Sequence, residues 1–227
     1  MNLNKLAIEC LKGKSLWRTL CNIKLSKFKV YGELLDAGSK NLTASHYRYL
    51  DTSEVKATTF VDYYSSDELN ILKIDLEKEI PIEDFTYDSV LLMNVLEHVF
   101  NYNLLLKELH RITKQRGTII GSVPFMFRYH ADPNDFNRFT HTSLMRNLVE
   151  AGFKEVNIYT VGDGLLISIA DQISRLLPNI KIFLVFRLIL WISAIFLSKL
   201  KIFRKEDIKY NKNQASYLGL IFVAKKL

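Results

Sequence analysis

The chain has 227 residues, 48% of them hydrophobic and 24% charged. That apolar content excludes disorder as the main state, and the length fits one large domain or one domain with an appendage. Cys10 and Cys21 are the only cysteines, which excludes a disulfide framework, and no period marks a repeat protein or a coiled coil.

The net charge of +7 is segregated. Residues 1–30 carry +6 and residues 181–227 carry +8, while residues 31–180 carry −7. The body is acidic and has no basic stripe interleaved with aromatics, which argues against nucleic acid as a partner. Basic ends with apolar helical patterns fit an anionic membrane surface better.

In chain order, residues 1–30 come first. Leu3, Leu6, Ala7, Cys10, Leu11, Trp17, Leu20 and Cys21 fall at helical spacing among lysines, so a basic amphipathic helix is expected, broken near Gly13. The segment lacks the continuous apolar run and cleavage site of a signal peptide. From about residue 33, short apolar runs alternate with helical stretches. Glu33–Ala37, Thr58–Val61, Ser89–Met93, Thr118–Val123 and Val156–Thr160 read as strands, and Tyr217–Ala224 as a final one. Segments near 45–52, 66–72, 101–113 and 142–151 read as helices. Strands alternating with helices predict a parallel sheet covered on both faces.

About 50 residues separate the last two strands, too many for an ordinary connection. They hold the run Ile182–Leu197, in which Arg187 is the only charge, preceded by amphipathic Leu165–Leu177 and by Pro178. Sixteen residues are short of the roughly 20 that a span needs. A helical hairpin lying in the membrane interface is expected, with Lys199, Lys201, Arg204 and Lys205 beside it. The expected organisation is therefore an N-terminal helix at 1–30, a core at 31–162 and 213–227, and a hydrophobic helical insertion at 163–212.

In an open parallel sheet, ligands bind beyond the carboxyl ends of the strands. The first strand ends Asp36-Ala37-Gly38, and glycine lets a backbone approach a ligand closely. Asp62 ends the second strand, where a carboxylate is placed to accept both hydroxyls of a ribose. Asp75 follows a third run, where it can accept from an exocyclic amine. The fourth strand leads into Asn94-Val95-Leu96-Glu97-His98.

Asp36-x-Gly38, Asp62, Asp75, Asp88 with Asn94–His98, and Arg111-Ile112-Thr113-x-x-x-Gly117 together resemble class I S-adenosylmethionine-dependent methyltransferases, over roughly residues 33–160. The resemblance implies an α/β, Rossmann-like, seven-stranded and mostly parallel sheet with helices on both faces, residues 217–224 forming the last, antiparallel strand. It implies S-adenosyl-L-methionine as cofactor, with Asp36 and Gly38 in its first loop, Asp62 on the ribose, Asp75 on the adenine and Asn94 to Leu96 bordering the methionine. The loop departs from the family in one way: Ser39, Lys40 and Asn41 stand where further glycines are usual.

A second constellation runs from Val123 to Thr140 and packs His130, Asp132, Asp135, Arg128 and Arg138 among aromatics. Apolar walls with a few placed polar groups suit a substrate site. The string His-x-x-Pro-x-Asp-x-x-Arg-x-Thr is similar to that of methyltransferases encoded with bacterial surface-polysaccharide enzymes. It implies O-methylation of a saccharide, with His130 as general base, Asp135 orienting it or acting as base itself, and Tyr129 and Arg138 on the substrate. The plainer alternative is that Asp135 and Arg138 pair to close the loop. His98 and His110 read as packing and surface residues. The His/Cys spacing of a metal site is absent, so no metal is expected.

The expected partners are a saccharide or lipid-linked glycan and the inner face of the cell membrane, with no nucleic acid. Methylation of a lipid or quinone-like molecule, and a non-catalytic scaffold that keeps the fold, are the rival readings.

Overall fold

The computed structural model describes residues 3–39, 41–63, 71–199 and 216–227. Lys40, Lys201, Arg204 and Lys205 lie outside the described residues, as do parts of the expected helix at 66–72 and of the 163–212 insertion. The described residues form a seven-stranded sheet in the order β3-β2-β1-β4-β5-β7-β6. The strands are β1 Lys29–Ala37, β2 Asp51–Asp62, β3 Ile71–Lys73, β4 Tyr87–Met93, β5 Thr113–Pro124, β6 Lys154–Val161 and β7 Gly219–Lys225. β1 pairs in parallel with β2 and β4, β2 with β3, and β4 with β5. β7 lies antiparallel between β5 and β6. This is the Rossmann-like methyltransferase fold expected from the sequence.

Two layers of helices follow from the alternation along each strand, since successive side chains point to opposite faces. Leu35, Val90 and Leu92 pack with α3 (Tyr102–Ile112) and α4 (His141–Glu150). Leu34, Leu91 and Met93 point the other way, toward α1 (Leu3–Leu11), α2 (Leu16–Leu25), α5 (Leu165–Leu176) and α6 (Lys181–Leu197). Gly13, at φ +72°, stands in the break between α1 and α2. Trp17 and Trp191 anchor this second layer and are almost wholly buried. The carboxylate of Asp171 in α5 accepts from the Trp17 N–H (3.3 Å) at the start of α2 and from Arg175 Nε (2.7 Å). It thereby satisfies a donor that the helix itself leaves unpaired.

Two expected elements differ. The helix near 45–52 is a single 3₁₀ turn, Ser45–Arg48, and β2 already begins at Asp51, opposite Lys29. The cause is local: His46 and Tyr47 turn inward onto Asp36, leaving too few residues for a second turn of helix before the strand. The run expected as helix at 66–72 ends in strand, because Ile71–Lys73 pairs with Phe60–Asp62. β2 is also much longer than Thr58–Val61. Its first half is largely exposed, so it lacks the apolar run that marks a buried strand.

α5 and α6 pack on one another between β6 and β7. Arg187, mid-way along α6, points inward, where its guanidinium donates to Asn179 Oδ1 (3.0 Å) and the Leu177 carbonyl (2.6 Å). Among the described residues, no helix is long and apolar enough to cross a membrane.

Candidate active site

The strand order reverses between β1 and β4, and there a cleft of about 350 Å³ opens at the carboxyl ends of the parallel strands. Gly38, Asp62, Asp75 and Asn94 line it, with Tyr63, Leu76, Glu77, Val95, His98 and Val99 around them. Asp132, Pro133, Asn134 and Phe136 form the opposite wall.

The backbone shape at this point is specific. Gly38 has φ +98°, and a Cβ there would lie 2.3 Å from Val95 Cγ2. Only glycine fits both the conformation and the space. Its N–H donates to the Val61 carbonyl (2.7 Å), which ties the loop after β1 to β2. Asn94 is left-handed at φ +57°, a region that asparagine tolerates better than most residues. Its N–H donates to the Ser122 carbonyl (2.9 Å) and its Oδ1 accepts from Ser122 Oγ (3.3 Å).

The carboxylates are held differently. Asp75 accepts the Glu77 N–H (3.1 Å) and faces Lys78 Nζ (3.1 Å), and these hold its carboxyl below the usual range. Asp36 does not line the cleft. It is fully buried beneath it, accepts the Tyr47 hydroxyl (2.7 Å) and lies 3.1 Å from His46 Nε2. Burial and that carboxylate push the Tyr47 hydroxyl far up, so it stays a donor. Asp36 therefore braces the loop after β1 from below. Leu96 is also fully buried and packs in the core under the cleft, while the neighbouring Asn94 and Val95 face it.

On the other wall, Arg138 grips Asp135 with Nη1 on Oδ1 (2.5 Å) and Nη2 on Oδ2 (2.7 Å). The Asp135 side chain is only 1% exposed, and Arg138 holds its pKa down at about 2. The His130 N–H donates to Asp135 Oδ2 (2.8 Å), and His130 Nδ1 lies 3.3 Å from the same oxygen. The plainer alternative for the pair, an ion bridge that closes the loop, is the geometry observed. Arg138 also donates to the Asn137 and Arg128 carbonyls. Tyr129 is 73% exposed and is not among the residues that line the cleft.

The His130 ring packs on Phe127 (centroids 4.7 Å apart) and edge-on to His98 (4.9 Å). Burial, and then the neighbouring His98, push the His130 pKa down, so the ring is neutral at neutral pH and able to accept a proton.

Sequence reasoning read His98 as a packing residue and gave Glu97 no role in the site. His98 lines the cleft, and its Nδ1 meets the Asn134 carbonyl at 2.5 Å. The Glu97 side chain is wholly buried, and burial pushes its carboxyl up to about 8. Its backbone carbonyl accepts from the Phe136 and Asn137 N–H groups, which stitches the loop to the cleft floor. His110, read as a surface residue, is half-buried against the Phe153 ring (5.0 Å).

Residues 32–121 match the model of a family described as a methyltransferase domain. The chain has the fold of S-adenosylmethionine-dependent methyltransferases. The residues present fit S-adenosylmethionine: a glycine that no side chain can replace beside a backbone groove, and carboxylates at the ends of adjacent strands. When bound, it supplies an electrophilic methyl group.

Among solved structures, an Archaeoglobus fulgidus SAM-dependent methyltransferase is 16% identical, with a TM-score of 0.56 and coverage of 96% of this chain and 97% of that one. Phosphoethanolamine N-methyltransferase 2 of Haemonchus contortus, in complex with S-adenosyl-L-methionine, is 14% identical, with a TM-score of 0.54 and coverage of 98% and 56%. The [4+2]-cyclase SpnF is 15% identical, with a TM-score of 0.54 and coverage of 91% and 78%. The last shows that the fold hosts more than methyl transfer. No curated protein matches the sequence.

Proposed function

We propose that the chain is a methyltransferase acting on a hydroxyl of a saccharide in bacterial surface-glycan assembly. The observation that carries this reading is the 125–139 loop. It brings Phe136, Asp132 and Asn134 into the cofactor cleft and sets His130 against His98, which lines it. An aromatic wall studded with carboxylate and amide groups suits a sugar, which has apolar faces and hydroxyl edges.

In this reading Gly38, Asp62, Asp75 and Asn94 hold the cofactor, and Asp36 supports them from below. Bound S-adenosylmethionine would supply an electrophilic methyl group, and His130 would take the proton of the acceptor hydroxyl. Asp135 fixes the His130 backbone and is itself fixed by Arg138, so Arg138 acts on the substrate only through the shape of the loop or with its remaining exposed edge. Tyr129, exposed and outside the cleft lining, would meet only a larger glycan. The test is calorimetry with S-adenosylhomocysteine, followed by transfer of labelled methyl from S-adenosylmethionine to sugar and lipid-linked sugar acceptors. Product binding without transfer to any saccharide would favour the lipid or quinone reading; no binding would favour a scaffold.

The acceptor's location is part of the same proposal. Ile182, Val185, Phe186, Ile189 and Phe196 are exposed along α6, and Leu176 and Ile180 continue the apolar surface toward α5. Arg187 is turned inward, so this outer face carries no charge between Lys181 and Lys199, which are both exposed. An apolar strip with cationic ends matches the interface of an anionic bilayer, where apolar burial and lysine attraction add. A membrane-seated enzyme would meet a lipid-linked acceptor at high local concentration.

A further inference from the structure

Glu97, His98 and His130 converge although they come from two segments of the chain. A carboxylate oxygen of Glu97 and one ring nitrogen from each histidine lie within 4.8 Å of one another. Glu97 Oε1 is 3.8 Å from His98 Nε2. Both Glu97 oxygens are buried without a hydrogen-bond partner, and so is His130 Nδ1. A buried carboxyl group with neither oxygen satisfied is driven toward its neutral form, as Glu97 is, unless something cationic meets it.

The tautomer of His98 follows from its neighbour. A carbonyl oxygen only accepts, so His98 Nδ1, 2.5 Å from the Asn134 carbonyl, carries the proton. The other ring nitrogen, Nε2, faces Glu97. A histidine that donates one nitrogen to a backbone carbonyl and offers the other is the usual arrangement behind a metal ligand. Arg138 neutralises Asp135 nearby, so Asp135 does not compete for the cation.

We propose that Glu97, His98 and His130 form a site for one divalent transition-metal ion on the acceptor side of the cleft. Two nitrogens and one carboxylate oxygen suit zinc, iron or cobalt and disfavour magnesium and calcium, which take oxygen. Tetrahedral donors at about 2.0–2.2 Å from one ion lie about 3.3–3.6 Å apart, so closing the triangle takes a shift of about 1 Å in the loop bearing His130. Three protein ligands leave a position open.

What the ion would do rests on the methyltransferase reading. An acceptor hydroxyl at the open position loses its proton to water, and its oxygen attacks the methyl carbon. The methyl–sulfur bond breaks, and the sulfonium becomes a neutral thioether. With the ion bound His130 serves as its ligand, and without the ion it takes the hydroxyl proton as above.

The test is a Co²⁺ titration of the chelator-stripped full chain, followed by visible absorption, with Zn²⁺ added in competition. One Co²⁺ per chain with enhanced d–d bands, displaced by Zn²⁺ and weakened at least tenfold in His130→Ala, is the expected result. His130 lies on a partly exposed loop, so this variant keeps its fold even where Glu97→Gln does not. The absence of saturable binding, or unchanged binding in His130→Ala, overturns the site. S-adenosylhomocysteine calorimetry on the same samples separates the two readings: product binding without Co²⁺ binding removes the metal alone.

Discussion

On the strand side of the cleft, Gly38, Asp62, Asp75 and Asn94 stand at or just beyond the carboxyl ends of neighbouring strands, with Asp62 paired in the sheet and Gly38 and Asn94 tied to it by backbone hydrogen bonds. On the loop side, the charged groups of the 125–139 segment are spent largely on one another, with Arg138 on Asp135 and the His130 N–H on the same carboxylate. The first wall is positioned by the sheet and leaves its carboxylates near the cleft. The second has no sheet to position it, and an internal ion pair does that work, leaving Asp132, Asn134 and Phe136 to line the cleft and His130 to pack against His98. A motif of charged residues is thus not a roll of substrate contacts, because some of its members hold the others in place.

The largest expected effect breaks this comparison at the loop. His130→Ala should lower turnover by about 10²–10⁴-fold, the range for losing a general base, while S-adenosylhomocysteine affinity stays the same. A fall in affinity instead would mean that the two walls do not work independently, and steady-state kinetics beside calorimetry will tell. Next, Arg138→Ala leaves the buried Asp135 carboxylate unpaired and should cost about 3 kcal/mol in chemical denaturation, with much of it recovered when Asp135→Asn is added. Denaturation curves that barely move would assign the pair to the substrate and not to the loop. On the strand side, Asp62→Ala should weaken S-adenosylhomocysteine at least tenfold, about 1.4 kcal/mol, with little change in melting temperature. Wild-type affinity in that variant would remove Asp62 from the ribose. Smallest in stability is Phe186→Glu on the outer face of α6, within about 0.5 kcal/mol of wild type. Co-sedimentation with anionic vesicles should nevertheless drop, and retention on vesicles would put the membrane contact elsewhere.

The two walls also differed in how far they could be read from the chain. Strand-ending Asp62 and Asp75, and the glycine after β1, announce themselves because hydrophobic runs mark where strands stop. Asp36 carries the same signal, yet its carboxylate faces the buried side, toward His46 and Tyr47. Nothing in the local sequence distinguishes the two directions. His98 read as a packing residue, and His130 lies 32 residues further on. Ligand spacing along the chain carries no trace of a cluster that forms only when the loop after β5 folds back over the turn after β4. Similarly, Arg187 looked like a charge in the middle of an apolar helix until its rotation about the helix axis was known.

By itself, the sequence determined the alternation of strands and helices, the strand ends where a ligand binds and the apolar character of α6, while the antiparallel final strand was implied only by the family resemblance. The first three depend on periodicity and on strand-end chemistry, which are local. Only the tertiary structure decided which side chains at those ends face the cleft, that Asp135 belongs to Arg138, that Arg187 is turned inward, and that Glu97, His98 and His130 meet. Each of these is a contact between distant segments, and its energy depends on burial and direction, which no short stretch of sequence carries.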